Sequence, residues 1–297
     1  MNISIFMQNR PHFGTTLLHL PLLHSLKTNY PNANIYLFSK NESSKLLKEI
    51  IPIKELFINK NRFKEITDYR SIDSDITISL RKNSLFLVFT IFLFNRKKKY
   101  GFKNTLTPFL FTSSNSYING EYRSENFLNL LPKDIEHHYF KIEKEKHITL
   151  IPAGEYQFKH WDITNYLQLA TLLQRAFAHL EIHFVLGKSE EKYLKTIQNH
   201  SSSFYIDYAL DMKKLFHIIQ SSRLVIGNDC GPAHIAQISD VSNIILFSNE
   251  NKNGKATVKE WFRKKEDSHY FLGEEAQSIN TLTVESVYSK ACSLLEN

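Results

Sequence analysis

Hydrophobic and polar residues alternate in blocks along the chain, and these blocks predict strands and helices in turn. Short apolar runs bounded by turn residues predict buried strands at residues 3–7, 35–38 and 56–58. Between the first two strands, residues 15–29 carry leucines three and four positions apart, which is typical of a helix. This βαβαβ beginning predicts a parallel sheet with helices on both faces.

The same alternation starts again after a charged run at residues 143–146. Strands are expected at 147–151, 182–186, 204–206, 224–226 and 243–247, with helices between them and a last helix after Thr283. The chain should therefore form two domains, residues 1–143 and 144–297. We expect an α/β architecture of two Rossmann-like domains whose parallel sheets face an inter-domain cleft, with ligands at the carboxyl ends of the strands.

The most apolar segment, residues 85–94, predicts a helix too short to span a bilayer. Two interpretations stay open. The first, which we favour because no polar face is apparent, buries this helix against the first sheet. The second joins it to the basic run at residues 96–99 as a surface that touches an anionic membrane leaflet.

Composition narrows the class of protein. The chain has 297 residues, 42% of them hydrophobic, which suits two packed domains. Its two cysteines, Cys230 and Cys292, exclude a disulfide framework and favour a reducing compartment. With no secretory segment at the beginning, we expect a cytoplasmic protein. The net charge of +7 is scattered, so no nucleic-acid partner is expected, and no metal cluster or cofactor motif is evident.

Residues 225–236 predict a strand, a glycine-containing turn and a helix that Pro232 begins. Free backbone N–H groups at a helix N-terminus favour phosphate. Asp229 lies where the strand ends, and His234 could add a ring N–H or a positive charge. In the alternative interpretation, Asp229 only caps the helix and His234 packs beneath it.

Four stretches, in this order along the chain, resemble the ADP-heptose:lipopolysaccharide heptosyltransferases, which have the GT-B fold. They are Gly14-Thr15-Thr16-Leu17-Leu18-His19-Leu20-Pro21, Lys99-Tyr100-Gly101-Phe102, Pro152-Ala153-Gly154 through Lys159-His160-Trp161, and Asn228-Asp229-Cys230-Gly231-Pro232-Ala233-His234. The fourth stretch is the most specific and the second is weak alone.

The resemblance implies a sugar donor linked to ADP and an acceptor in lipopolysaccharide core or a related lipid-linked glycan. The apolar and basic run at residues 85–99 separately leaves peripheral contact with the inner membrane open. The resemblance implies that the diphosphate is bound by the turn that contains Asp229, Cys230, Gly231, Pro232 and His234. It implies that Lys159 contacts the phosphates. In the alternative interpretation, Lys159 is a surface lysine beside Trp161, which packs against the following helix. Glu190, or else Glu191, would contact the ribose. Fixed donors and a lysine suit the negative charge that develops on a leaving diphosphate, without a metal ion.

The sequence departs from the family at the acceptor side. The family has an acidic base directly after Gly14, and here that position is Thr15, whose hydroxyl is no base near neutral pH. Another group could substitute, the acceptor could differ, or the chain could be a weak or inactive relative. His12 in the same loop is a candidate base. His19 either shares the Thr15 face or packs among leucines, and Arg10 either binds acidic groups of the acceptor or is solvated.

Two further departures affect the donor side. Cys230 replaces a hydroxyl residue, and its position at a helix N-terminus predicts a lowered thiol pKa and sensitivity to alkylation. The loop at residues 248–251 lacks the Gly-Pro common in the family.

We therefore expect a metal-independent glycosyltransferase that moves heptose from ADP-heptose. A catalytically weak protein that binds nucleotide-sugar or glycan is the alternative, and a nucleotide-sugar epimerase is disfavoured by the spacing around Gly14 and Asp229.

Overall fold

The computed structural model describes residues 1–154 and 156–296. The chain divides into two compact units, Met1–Tyr139 and Phe140–Asn297, with the boundary slightly earlier than the charged run predicted. Each unit contains one six-stranded sheet in which all neighbouring strands are parallel. The predicted α/β class of two Rossmann-like domains is confirmed.

The first unit alternates strands with helices throughout. Its strands are β1 (Asn2–Phe6), β2 (Asn34–Ser39), β3 (Glu55–Ile58), β4 (Ile76–Ser79), β5 (Lys98–Phe102) and β6 (Ser113–Asn115). Its helices are α1 (Phe13–Leu17), α2 (Leu20–Asn29), α3 (Leu47–Ile50), α4 (Arg62–Arg70), α5 (Leu85–Phe94), α6 (Thr107–Leu110) and α7 (Arg123–Leu128). The strand order is β3-β2-β1-β4-β5-β6.

This order determines which helices share a face of the sheet. The chain moves outward from β1 to β3, then back to β4 and on to β6. Parallel crossovers are right-handed, so helices that connect strands in the same direction across the sheet lie on the same face. Helices α4, α5 and α6 all make connections from β3 toward β6 and therefore cover one face. Helix α5 accordingly contacts both α4 and α6.

The second unit repeats the same topology. Its strands are β7 (His147–Ile151), β8 (Glu181–Leu186), β9 (Tyr205–Tyr208), β10 (Leu224–Asn228), β11 (Ser242–Phe247) and β12 (Ser268–Leu272). Its helices are α8 (Ile163–Ala176), α9 (Leu194–His200), α10 (Met212–Ser221), α11 (Gly231–Gln237), α12 (Gly254–Trp261) and α13 (Val284–Leu295). The order β12-β11-β10-β7-β8-β9 places β7 and β10 side by side at the point where the direction of travel reverses.

Two sequence predictions about helices are wrong. The helix expected over residues 15–29 is two helices, because Pro21 has no N–H for an interior helical hydrogen bond and instead lies in the first turn of α2. The helix at residues 85–94 exists, but it is not buried all round: six of its side chains are more than 40% exposed. None of the helices in the described parts of the chain is long and apolar enough to cross a membrane.

Candidate functional site

The turn after β10 lies where the topology predicts a ligand site. Strand β10 is completely buried and runs through Asn228, so Asp229 is the first residue beyond it. Cys230 is the N-cap of α11, and Pro232 lies in the first turn of that helix, as expected. The turn therefore presents the N-terminus of α11 at the carboxyl edge of the sheet.

Lys159 reaches this turn from the loop that follows β7. Its Nζ lies 2.5 Å from Asp229 Oδ2. The side chain of Asp229 is 7% exposed and that of Lys159 is 24% exposed. The third and fourth stretches of the sequence thus meet through one ion pair, while a role of Lys159 at the phosphates stays a prediction.

Asn228 connects the two stretches beneath this pair, a role that sequence analysis missed. Its Nδ2 donates to the carbonyl of Ala153 at 3.1 Å. Its Oδ1 accepts from the Tyr166 hydroxyl at 2.9 Å and from the backbone N–H of Trp161 at 3.3 Å. Trp161 is 1% exposed and packs in the core, as expected. Both ends of the loop that carries Lys159 are therefore fastened to the last residue of β10.

The close approach of His160 to Gly154 fixes the same loop. A Cβ at Gly154 would lie 2.9 Å from the His160 ring. Without that Cβ, His160 Nε2 comes within 2.9 Å of the Gly154 carbonyl. Glycine is therefore required where the loop leaves β7.

His234 is a neutral, oriented imidazole. It is 4% exposed, and burial lowers its pKa from 6.5 to about 4, so the expected positive charge is absent near neutral pH. Gln237 fixes its tautomer: Gln237 Oε1 accepts from the Arg263 N–H at 2.8 Å, so the Gln237 amide nitrogen faces His234 Nδ1 at 3.2 Å. Nδ1 accepts, and the proton is on Nε2, 3.9 Å from Asp229 Oδ1. That separation is too long for a hydrogen bond.

Cys230 is not the reactive thiol that its position predicted. It is 9% exposed, and burial raises its pKa from 9.0 to about 12. The negative charges of Asp229 and Glu190 add to this effect. Desolvation and two carboxylates outweigh the short helix that follows, so the prediction of a lowered pKa is wrong.

Glu190 belongs to the same neighbourhood. It is 2% exposed, and its Oε2 accepts from the Gly187 N–H at 3.0 Å, after the end of β8. Glu191, the alternative from the sequence, is exposed. The ribose contact of Glu190 stays a prediction.

Most residues predicted for the acceptor side lie at or after the start of α1. Thr15 is 2% exposed, so it is a packed residue of α1. His12 is the exposed N-cap of that helix, and Gly14 lies in its first turn. His19 is 2% exposed and stacks on Phe127 with ring centroids 4.8 Å apart.

Both ring nitrogens of His19 have backbone partners. Nδ1 lies 3.1 Å from the Thr16 carbonyl, and Nε2 accepts from the Gln8 N–H at 3.4 Å. Burial lowers its pKa to about 4. His19 is thus the packing residue of the second interpretation rather than a base.

A cationic cavity of about 260 Å³ lies in the first unit, beside the end of β1. Its lining residues are Gln8, Asn9, Arg10, Arg81, Lys82 and Arg123. Arg81 is held in place by two hydrogen bonds to Glu65, of 2.6 and 2.8 Å. Three further cationic side chains line the cavity, and only Arg10 among them was singled out from the sequence.

Metal ligands do not cluster in the structure. Among residues 1–154 and 156–296, no group of three or more His, Cys, Asp or Glu side chains could hold a metal ion.

Comparison with known proteins identifies the family. The sequence profile of glycosyltransferase family 9 (heptosyltransferase) matches residues 109–261, more than half of the chain. The chain belongs to this family. The match to family 9 contains the Lys159 loop and the Asp229 turn, whereas the first two stretches of the resemblance lie outside it.

This family 9 protein is also similar to individual relatives along most of its length. It is 24% identical over 264 residues to lipooligosaccharide heptosyltransferase 2 of Campylobacter jejuni, covering 82% of this chain and 81% of the relative. Among solved structures it resembles the E. coli ADP-heptose lps heptosyltransferase II, at 15% identity and a TM-score of 0.71, covering 100% of this chain and 99% of the other. It resembles E. coli heptosyltransferase WaaC with ADP at 13% identity and a TM-score of 0.71, covering 99% and 100%. These structures confirm the GT-B fold.

Proposed function

We propose that this family 9 glycosyltransferase transfers heptose from ADP-heptose to a lipopolysaccharide core or related lipid-linked glycan. The observation that carries the proposal is the ion pair between Lys159 and Asp229, which unites two separate stretches of the resemblance. Support for ADP comes from the similar E. coli protein WaaC, whose structure holds ADP.

In this proposal the turn after β10 binds the donor diphosphate. The acceptor hydroxyl oxygen attacks the anomeric carbon, and the bond from that carbon to the phosphate oxygen breaks with its electron pair on the departing ADP. Lys159 and the backbone N–H groups of the turn stabilise the charge that develops there. The Nε2–H of His234 supplies a neutral donor, so Lys159 contributes a positive charge and His234 adds no second one.

The cationic cavity of the first unit is the proposed acceptor site. Three arginines and one lysine line this cavity, and Arg81 among them is paired with Glu65. Guanidinium groups bind carboxylates and phosphates through paired hydrogen bonds, so this cavity suits an acidic saccharide. The charge of the cavity supports a phosphorylated or carboxylated glycan over a neutral one.

His12 is the proposed base. Thr15 cannot accept the proton of the acceptor hydroxyl, whereas the exposed His12 is the N-cap of the same helix and carries an imidazole that can. The proton then passes from the hydroxyl to the His12 ring as the new glycosidic bond forms.

Transfer is tested by incubating the protein with ADP-heptose and a deacylated lipopolysaccharide core, with the product identified by mass spectrometry. We expect a heptosylated core and a roughly 100-fold loss of rate in His12→Gln. The exposed Lys195→Gln in the second unit is the matched control. Binding of ADP-heptose without a heptosylated product would support the alternative that Thr15 favours, a relative that binds without transferring.

A further inference from the structure

Helix α5 exposes an apolar surface on the first unit. One side of the helix packs in the core through Leu87, Val88 and Ile91. The opposite side carries large apolar side chains that are between 41% and 52% exposed: Leu85, Phe86, Phe89, Phe92, Leu93 and Phe94. Because isolated apolar residues are normal on surfaces but contiguous aromatic patches are not, this surface requires a partner.

The neighbouring helices continue the surface. Phe63 on α4 is 77% exposed and Phe109 on α6 is 83% exposed, and both helices contact α5 on the same face of the sheet. We call the exposed side chains of α4, α5 and α6 the aromatic face.

Basic side chains border the aromatic face and contact it. The guanidinium of Arg62 lies 5.9 Å from the ring centroid of Phe86, and that of Arg70 lies 5.6 Å from the centroid of Phe94. The exposed Arg96 and Lys98 follow directly after α5. Lys97 is instead paired with Asp73 and Asp75.

This combination indicates the chemistry of the partner. Apolar side chains surrounded by arginine and lysine suit the boundary between acyl chains and anionic headgroups. A second copy of this chain is a poorer partner, since a symmetric contact would bring together two faces that are both bordered by positive charge. The helix is also too short to cross the bilayer, so it can only lie along its surface.

We propose that the aromatic face docks the protein on the surface of a bilayer that contains anionic phospholipid. Phe and Leu side chains of α5 enter the headgroup region, while Arg62, Arg70, Arg96 and Lys98 contact lipid phosphates. A second cavity, of about 310 Å³, is lined by Arg62 and Phe86 and borders the face. Delivery of a lipid-linked acceptor to this unit depends on the proposed function, whereas docking itself does not.

Docking is measured by sedimentation of the full chain with vesicles of phosphatidylethanolamine and phosphatidylglycerol, compared with vesicles of phosphatidylcholine alone. We expect binding to the anionic vesicles that weakens as salt rises. Phe89→Ser/Leu93→Ser should lower the affinity at least about tenfold, because two half-exposed apolar side chains no longer enter the membrane. Arg70→Gln/Arg96→Gln should lower it about twentyfold.

Matched control variants distinguish a loss of binding that is specific to the aromatic face from the effect of changing any exposed side chain. Ile118 is 52% exposed, as Leu93 is, and lies outside α4, α5 and α6, so Ile118→Ser should bind as the wild type does. Lys195→Gln/Lys213→Gln removes two exposed charges from the second unit and should have the smaller effect. Unchanged urea midpoints show that each variant is folded.

Three outcomes would overturn the proposal. These are equal binding to neutral and anionic vesicles, no binding to either, or equal losses in Leu93→Ser and Ile118→Ser. A dimer seen by light scattering that dissociates in Phe89→Ser/Leu93→Ser would assign the face to a second copy instead. Nucleotide binding, measured without vesicles, shows separately whether the donor site fails.

Discussion

Removing the charge of Lys159 should destabilise the second unit as well as weaken donor binding. In Lys159→Met, the carboxylate of Asp229 loses its partner while only 7% of that side chain is exposed. Breaking a buried ion pair in this way costs about 3–5 kcal/mol. Because 24% of the Lys159 side chain is already exposed, we expect the lower end, about 3 kcal/mol.

The double variant Lys159→Met/Asp229→Asn separates the two effects. It removes both charges, so it should recover most of the lost free energy of unfolding. It should still bind ADP about 10- to 100-fold more weakly, since a hydrogen bond between lysine and phosphate is worth about 1.5–3 kcal/mol. Lys195→Met, at an exposed position, should change neither quantity.

Unfolding in urea, followed by tryptophan fluorescence, measures the change in the free energy of unfolding. The two tryptophans of the chain, Trp161 and Trp261, both lie in the second unit, so the fluorescence reports on that unit. Isothermal calorimetry measures ADP affinity. An unchanged urea midpoint in Lys159→Met would show that the ion pair contributes nothing, and wild-type ADP affinity in the double variant would remove Lys159 from the phosphate site.

Three other predictions follow from burial. Iodoacetamide should label Cys292 and spare Cys230, whose pKa burial raises to about 12; peptide mass spectrometry showing Cys230 labelled in the folded protein would contradict this. Burial lowers the pKa of His19 from 6.5 to about 4, so the unfolded chain binds more protons between these values. The first unit should therefore lose stability as pH falls through this range. Urea unfolding followed by circular dichroism at several pH values should show a free energy of unfolding that depends less steeply on pH in His19→Gln. Finally, Gln237→Glu keeps the shape but should move the His234 proton to Nδ1, which nitrogen chemical shifts report, and lower ADP affinity about fivefold; an unchanged tautomer would refute it.

The parts of the fold that the sequence predicted are those with strong local patterns. Strand β10 and the turn at Asp229 follow from an apolar run that ends at a glycine and a proline. The edge strands β6 and β12 were missed because they are only partly buried and carry polar residues, so their apolar pattern is weak.

Contacts between distant residues explain what the sequence could not provide. Asn228 bonds to Ala153 and Tyr166, and Gln237 orients His234 through Arg263. A buried asparagine or glutamine side chain leaves no periodic signal in the sequence, so these contacts could not be predicted from it. The exposure of α5 was missed for the opposite reason: its composition is apolar throughout, and composition does not distinguish a helix covered by protein from one that another surface covers.

Calorimetric binding of ADP, UDP and GDP to the purified protein is the decisive test of the proposed donor site. We expect a preference for ADP, lost in Asp229→Ala and in His234→Ala, with wild-type affinity in Lys195→Ala. A preference for UDP or GDP would contradict ADP-heptose as the donor, and the absence of any nucleotide binding would contradict the assignment of the turn after β10 as the donor site.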